Sequence, residues 1–302
     1  MIAAAMKMFV RLLLLTVLAV TLSAQSRAVR VYISADMEGV GGVVTGEQLS
    51  PTGFEYAKAR EWMTEEVLAA IAGVREAGAT EIVVSDSHGN FQNLLIEKLP
   101  KDVSVIRGGP RPLSMMQGID GTFDAVLFIG YHSGTTSPTG VRAHTISSAR
   151  LADVRINGVS MPEAGINAWI AGHFGVPVIM ISGDDAAIAD AKRVVGDLEA
   201  AMVKEAIGFH SAKVLTPEAS RELIRETAKR AMQNRARFRP VAVKNPVTLE
   251  IQFKNYRPAE ILAFLPNVQR IDAHAVRFVA KDILEAARFL SFAANYEPGL
   301  EP

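Results

Sequence analysis

The chain has 302 residues, 49% hydrophobic and 21% charged, enough for a sizeable core in one large domain or two smaller ones. Its 32 basic and 32 acidic residues balance, so no surplus of positive charge points to nucleic acid or an anionic membrane as a partner. The absence of cysteine excludes disulfides, thiolate zinc sites and a cysteine-linked lipid anchor.

Residues 1–24 read as a secretory signal peptide. Lys7 and Arg11 flank the start of an apolar run from Leu12 to Leu22, and Ser23-Ala24-Gln25-Ser26 then supplies small and polar residues. The run is short of the about 20 residues of a membrane span, and cleavage is expected after Ala24. An uncleaved N-terminal anchor is the other reading. The first places the mature chain in the periplasm or outside the cell, without a stable membrane anchor.

Beyond the leader, apolar runs alternate with helical patterns. Strands are predicted at Val29 to Ala35, Glu81 to Ser85, Val103 to Ile106, Asp124 to Gly130 and Val176 to Ser182. Helices are predicted at Phe54 to Ala77, Pro162 to Phe174 and, as one long element, Asp185 to Ile207. This order implies an α/β fold with a mainly parallel sheet flanked by helices. Thr216-Pro217 restarts the pattern with a helix to Ala236. Extended Pro240 to Phe253, helical Pro258 to Phe264, extended Val268 to Val279 and a last helix, Lys281 to Asn295, follow. The expected division is an α/β metal-binding catalytic domain over 29–213 and a smaller C-terminal α+β domain over 214–302.

In open α/β sheets, ligands bind beyond the carboxyl ends of the strands. Asp36 and Glu38 fall there, in Ser34-Ala35-Asp36-Met37-Glu38-Gly39, and their spacing of two puts both carboxylates on one strand face. Like charges so close favour a cation between them. His88 and His132 also follow strands. Taken singly, each has a structural explanation: Asp36 orders a turn, Glu38 is solvated, His88 orients Asp86, His132 is a satisfied imidazole. Together they point to a metal, because chance would not put mainly His, Asp and Glu at three strand ends. Oxygen and imidazole donors suit zinc.

His144 sits in a glycine- and threonine-rich loop and reads either as a surface residue or as a group for proton transfer or charge stabilisation. Glu163 opens a helix, where the dipole alone would favour an acid. Asp184-Asp185 reads as a helix cap. His173, His210 and His274 look structural. Gly39 to Gly42 matches no nucleotide-binding fingerprint.

At these residues the chain resembles the D-aminopeptidase (DppA-like) family of zinc peptidases. The resemblance runs from about Val31 to the last helix, through the signature Ser34 to Gly39, Met63-Thr64-Glu65-Glu66, Asp86-Ser87-His88, Gly130-Tyr131-His132 and Glu163 to Asn167. It implies two zinc ions per subunit. Asp36 would bridge them, Glu38 and His88 would complete one site, and His132 and Glu163 the other. His144 would be the active-site histidine. It also implies a short peptide substrate with an N-terminal D-amino acid, and a homo-oligomer. Three carboxylates against two divalent cations leave a net charge of plus one, which favours a metal-bridging hydroxide as nucleophile. The leader departs from the cytoplasmic look of familiar members.

Two other functions fit the same residues. One is an exported metal-dependent hydrolase of a non-peptide amide or phosphoester, for which Arg107 and Arg142 are the nearby cations. The other is a non-catalytic peptide-binding protein with a structural or lost metal site.

Overall fold

Strand β1 (Arg30–Ala35) lies inside a seven-stranded sheet, with a parallel neighbour on each side, and explains how the rest is layered. Its side chains alternate. Val31, Ile33 and Ala35 face one buried layer, and Tyr32 faces another. Both faces of this sheet are therefore covered, as all-parallel pairing requires. The computed structural model describes residues 27–295. The leader expected over residues 1–24 lies outside them.

Around β1 the sheet runs β3 (Val103–Ile106), β2 (Glu81–Asp86), β1, β4 (Ala125–Tyr131), β7 (Val178–Asp184), β8 (Glu199–Gly208) and β9 (Ser211–Val214). Every pairing is parallel except that of β9 with β8. One face carries α1 (Tyr56–Glu76) and α4 (Pro217–Gln233), which contribute Met63, Val67 and Ile71, and Ile224 and Ala228, to the core. The other face carries α2 (Glu163–His173), α3 (Asp185–Val195) and α6 (Ile283–Asn295). A second sheet, antiparallel throughout, adjoins this layer. Its order is β11 (Val268–Arg270), β12 (Ala275–Ala280), β10 (Val247–Phe253), β5 (Leu151–Ile156) and β6 (Val159–Ser160). The short α5 (Tyr256–Leu262) joins β10 to β11. The fold is the mixed α/β arrangement expected, with a mainly parallel sheet and a smaller α+β part.

Two expectations are corrected. The long helix from Asp185 to Ile207 is two elements. The helix stops at Val195, where Gly196 takes φ 92°, and the chain returns as β8. Ala200, Ala201 and Met202 favour helix locally, but pairing of Glu199 to Lys204 with β7 overrides that preference. The two sheets also do not part at residue 214. Strands β5 and β6 precede it and belong to the second sheet, while α4 follows it and packs on α1 against the first. Among the described residues, no helix is long and apolar enough to cross a membrane.

Helices α1 and α4 approach closely at Gly73, where a Cβ would overlap the Arg225 carbonyl oxygen and crowd Ala228. Gly73→Val should therefore destabilise the protein by about 1–3 kcal/mol despite the gain in helix propensity, read as a lower denaturant midpoint at unchanged slope.

Candidate metal centre

Three strands end at one rim, and each delivers a side chain there. Asp36 follows β1, and its amide extends the pairing by donating to Ile129 O at 2.8 Å. His88 follows β2 in a turn ordered by Asp86, whose carboxylate accepts from Asn93 N, Asn93 Nδ2 and Leu94 N at 2.6–2.8 Å. His132 follows β4. Glu38 comes round a tight turn against the end of β4, where Gly39 N donates to Gly130 O at 2.7 Å. A Cβ on Gly39 would overlap the Tyr131 carbonyl, so only glycine permits this approach. Glu163 enters from the start of α2, and its Oε1 accepts from Ile146 N at 2.7 Å.

These residues form two groups whose donor atoms lie within 4.8 Å of one another: Asp36, Glu38 and His88, and His132, His144 and Glu163. Asp36 joins them. Its Oδ1 is 3.4 Å from His88 Nδ1, and its Oδ2 is 3.2 Å from His132 Nε2. His88 Nδ1 is 2.7 Å from Glu38 Oε2, and His132 Nε2 is 3.4 Å from Glu163 Oε2. His144 Nε2 lies 3.8 Å from Glu163 Oε1, and its ring stacks on that of His132 at 4.1 Å and 9°. All six residues expected at the site thus converge. His173, His210 and His274 join neither group.

Backbone carbonyls fix the tautomer of each imidazole. A carbonyl only accepts, so the facing nitrogen carries the proton. His88 Nε2 donates to Leu49 O at 2.9 Å, His132 Nδ1 to Ser133 O at 2.9 Å, and His144 Nδ1 to Arg142 O at 2.8 Å. In every case the second nitrogen, with its lone pair, points into the cluster. Asp36 Oδ2 and His132 Nε2 are buried with no hydrogen-bond partner. Orphaned lone pairs among buried carboxylates and oriented imidazoles are the donor set a divalent transition cation takes.

The electrostatics agree. Burial, and then the Glu38 charge, push the Asp36 carboxyl up. Burial also opposes charge on Glu38 and His88, yet each holds the other ionised: Glu38 well below its ordinary range and His88 well above. His132 is raised well above its ordinary range against burial, by Glu163 and Asp36. The three carboxylates therefore demand positive charge, which protons on imidazoles or bound cations can supply.

Behind this rim lies polar machinery in which Lys204 is new and Glu66 and Asp184 do more than their sequence positions showed. Lys204 on β8 is buried and donates to the carbonyls of Glu38, Val40 and Val43. Glu66 on α1 accepts from Gly41 N at 2.9 Å. Asp184 caps α3 as expected, accepting from Ala187 N, and its second oxygen accepts from Val141 N at 2.7 Å, tying down the loop that carries His144. The available signal was a lysine beside apolar Val203 in a segment that reads as helix. In front of the rim, Asp36, Glu38, His88, His144 and Glu163 line a cavity of about 340 Å³, with Phe91, Met115, Ile146 and Arg150 among its walls. Arg142 instead lies over Phe209, at 4.8 Å.

A parallel sheet whose rim gathers two carboxylate–imidazole groups at the mouth of a cavity has the build of a metal-dependent α/β hydrolase. The family follows from comparison. A model of the D-aminopeptidase family matches residues 29–292, and the chain belongs to that family. It is 35% identical over 258 residues to a D-aminopeptidase of Bacillus subtilis strain 168, spanning 85% of this chain and 93% of that one. It is also similar to the solved structure of the Zn-dependent D-aminopeptidase DppA from Bacillus subtilis, described as a self-compartmentalizing protease. That match has a TM-score of 0.85 at 34% identity and covers 89% of this chain and 99% of the other.

Glu66 supplies a test of the buried layer. Burial pushes its carboxyl up to about 7 from an ordinary 4.5. Between those values the native chain holds a proton that the unfolded chain releases, so this contribution is full below about 4.5 and is lost as the pH rises through about 7. The loss is roughly 3 kcal/mol at most. Glu66→Gln, permanently neutral, should match the wild-type Tm at pH 5 and exceed it at pH 8, measured with chelator present.

Proposed function

We propose that this chain is a zinc-dependent aminopeptidase that removes an N-terminal D-amino acid from short peptides, holding two zinc ions per subunit. The observation that carries this reading is the meeting of the two donor groups at Asp36, whose two oxygens face His88 and His132. Asp36, Glu38 and His88 would hold one cation. Asp36, His132 and Glu163 would hold the other. When bound, the cations supply Lewis acidity that polarises a scissile carbonyl and acidifies a water molecule.

The protein's own residues do the rest. The carbonyls of Leu49 and Ser133 hold Nε2 of His88 and Nδ1 of His132 as donors, so the nitrogens left facing the acids are the ones that would ligate once a cation displaces their protons. His144 has the third arrangement of this kind but is the most open of the three imidazoles, its side chain 13% exposed on the cavity wall. With its Nδ1 proton held by Arg142 O, its Nε2 accepts a proton on the cavity side and gives it back. That suits it to protonate the leaving amine of a cleaved peptide. The neutral amine of a free N-terminus would suit a cation held here as a further nitrogen ligand, which favours removal of terminal residues over internal cleavage.

The likeness to a relative described as self-compartmentalizing supports a homo-oligomer. The leader pattern of residues 1–24 supports a periplasmic or secreted site of action. A phosphoester substrate is the weaker reading, because neither Arg107 nor Arg142 is among the cavity's lining residues, and Arg150, which is, donates to the Ala294 carbonyl.

Hydrolysis of D-Ala and L-Ala amides, with and without chelator, tests the function. Turnover of the D-substrate alone, abolished by chelator, is expected. Equal or absent turnover of both removes the D-peptide assignment. His144→Ala should keep its zinc and lose about 10²–10⁴-fold in kcat. A variant that turns over at the wild-type rate refutes the role given to His144.

A further inference from the structure

Lys204 is 2% exposed, and among the described residues no carboxylate makes an ion pair with it; Asp184 and Glu66 act on it only from a distance. A buried ammonium without a carboxylate partner is uncommon, and its solvation must come from elsewhere. It comes from one loop. The three N–H donors of the ammonium meet three backbone carbonyls, those of Glu38, Val40 and Val43. This loop is neither helix nor strand, so its carbonyls have no ladder to join; of the three, only Val40 O has a backbone partner, accepting from Val43 N at 3.1 Å. From another direction Glu66 accepts from the amide of Gly41. The loop's carbonyls thus turn to a cation on β8, and one of its amides turns to a carboxyl on α1.

Glu38 is the residue on which this matters most. Its carbonyl is held by Lys204, while its side-chain Oε2 lies 2.7 Å from His88 Nδ1. Fixing the peptide plane of a residue narrows the directions open to its Cα–Cβ bond. We propose that Lys204 is a positioning residue for the Asp36–Glu38–His88 group: by satisfying three carbonyls of one loop it sets the Glu38 backbone and so aims its carboxylate at the cation. This rests on reading those three residues as ligands. Lys204 touches no cation and takes part in no chemical step. Its donors act through the Glu38 peptide.

Zinc affinity, measured by competition with a chromophoric chelator, tests this independently of peptidase activity. K204M fills the same volume and donates nothing. It should lose about 10- to 100-fold in zinc affinity, the usual cost of removing a group that orients a ligand, and should lose kcat with little change in KM. The chain's lack of cysteine gives a second arm. K204C, alkylated in denaturant with 2-bromoethylamine and refolded, carries an ammonium at nearly the reach of lysine. Its S-propyl counterpart has the same shape without the charge or donors. The aminoethylated protein should recover most of the affinity, and the S-propyl protein should stay as weak as K204M. If K204M does not fold, the two alkylated proteins decide between the outcomes. Equal affinity in both, or affinity that follows Tm across the set instead of the ammonium, overturns the proposal. Wild-type protein that binds no zinc removes the ligand reading itself, and the proposal with it. Wild-type protein that binds zinc but cleaves no peptide removes only the peptidase reading.

Discussion

Three buried carboxylates at one rim of a sheet are the constraint from which the rest of this structure follows. Carboxylates taken out of water repel one another and protonate unless positive charge is brought among them. The fold brings it. His88 and His132 arrive from neighbouring strands, and His144 from a loop tied to Asp184. Each imidazole spends one N–H on a backbone carbonyl, which leaves the other nitrogen to the acids. Protons and cations then compete for the same lone pairs, so cation binding at such a site releases protons.

The same constraint reaches into the layer below. The loop between Asp36 and Val44 has to place Glu38 beside His88 while passing close to β4, and it gives up regular backbone pairing to do so. Its polar groups are recovered by side chains from distant parts of the chain: Lys204 from β8, Glu66 from α1 and Gln48, which donates to Gly42 O. Buried charge of this kind contributes little net stability by itself. It specifies one conformation for a segment whose local sequence, rich in glycine, specifies little.

Much of this was legible in the sequence. Strand ends are marked by apolar, β-branched runs, and the residues just past those ends were the right place to look. Asp36, Glu38, His88 and His132 lay there, Glu163 at a helix start, and His144 in the loop between β4 and β5. The separate pieces Asp86-Ser87-His88 and Gly130-Tyr131-His132 carried the family likeness as well. The strand β8 was hidden because Ala200, Ala201 and Met202 have helical preferences that only pairing with β7 overturns. Lys204 was hidden with it. The tautomers were also out of reach, since the fixing carbonyl of Leu49 comes from 39 residues away and backbone atoms leave no mark in a sequence. The second sheet was only half visible, because Asp153 and Arg155 break the apolar pattern of β5, β6 has two residues, and both lie within the segment that otherwise builds the first sheet.

The loop from Ile146 to Arg150 is fastened at both ends to different things. Ile146 N holds Glu163, at the cavity floor. At the other end Arg150 donates to Ala294 O on α6, and Lys254, just beyond β10, donates to Ser148 O. The floor of the cavity is thus set by the ends of the parallel strands and the start of α2, while this stretch of wall is tied to α6 and to the end of β10. Substitutions at those two anchors reshape the wall of the cavity without touching the donors beneath it.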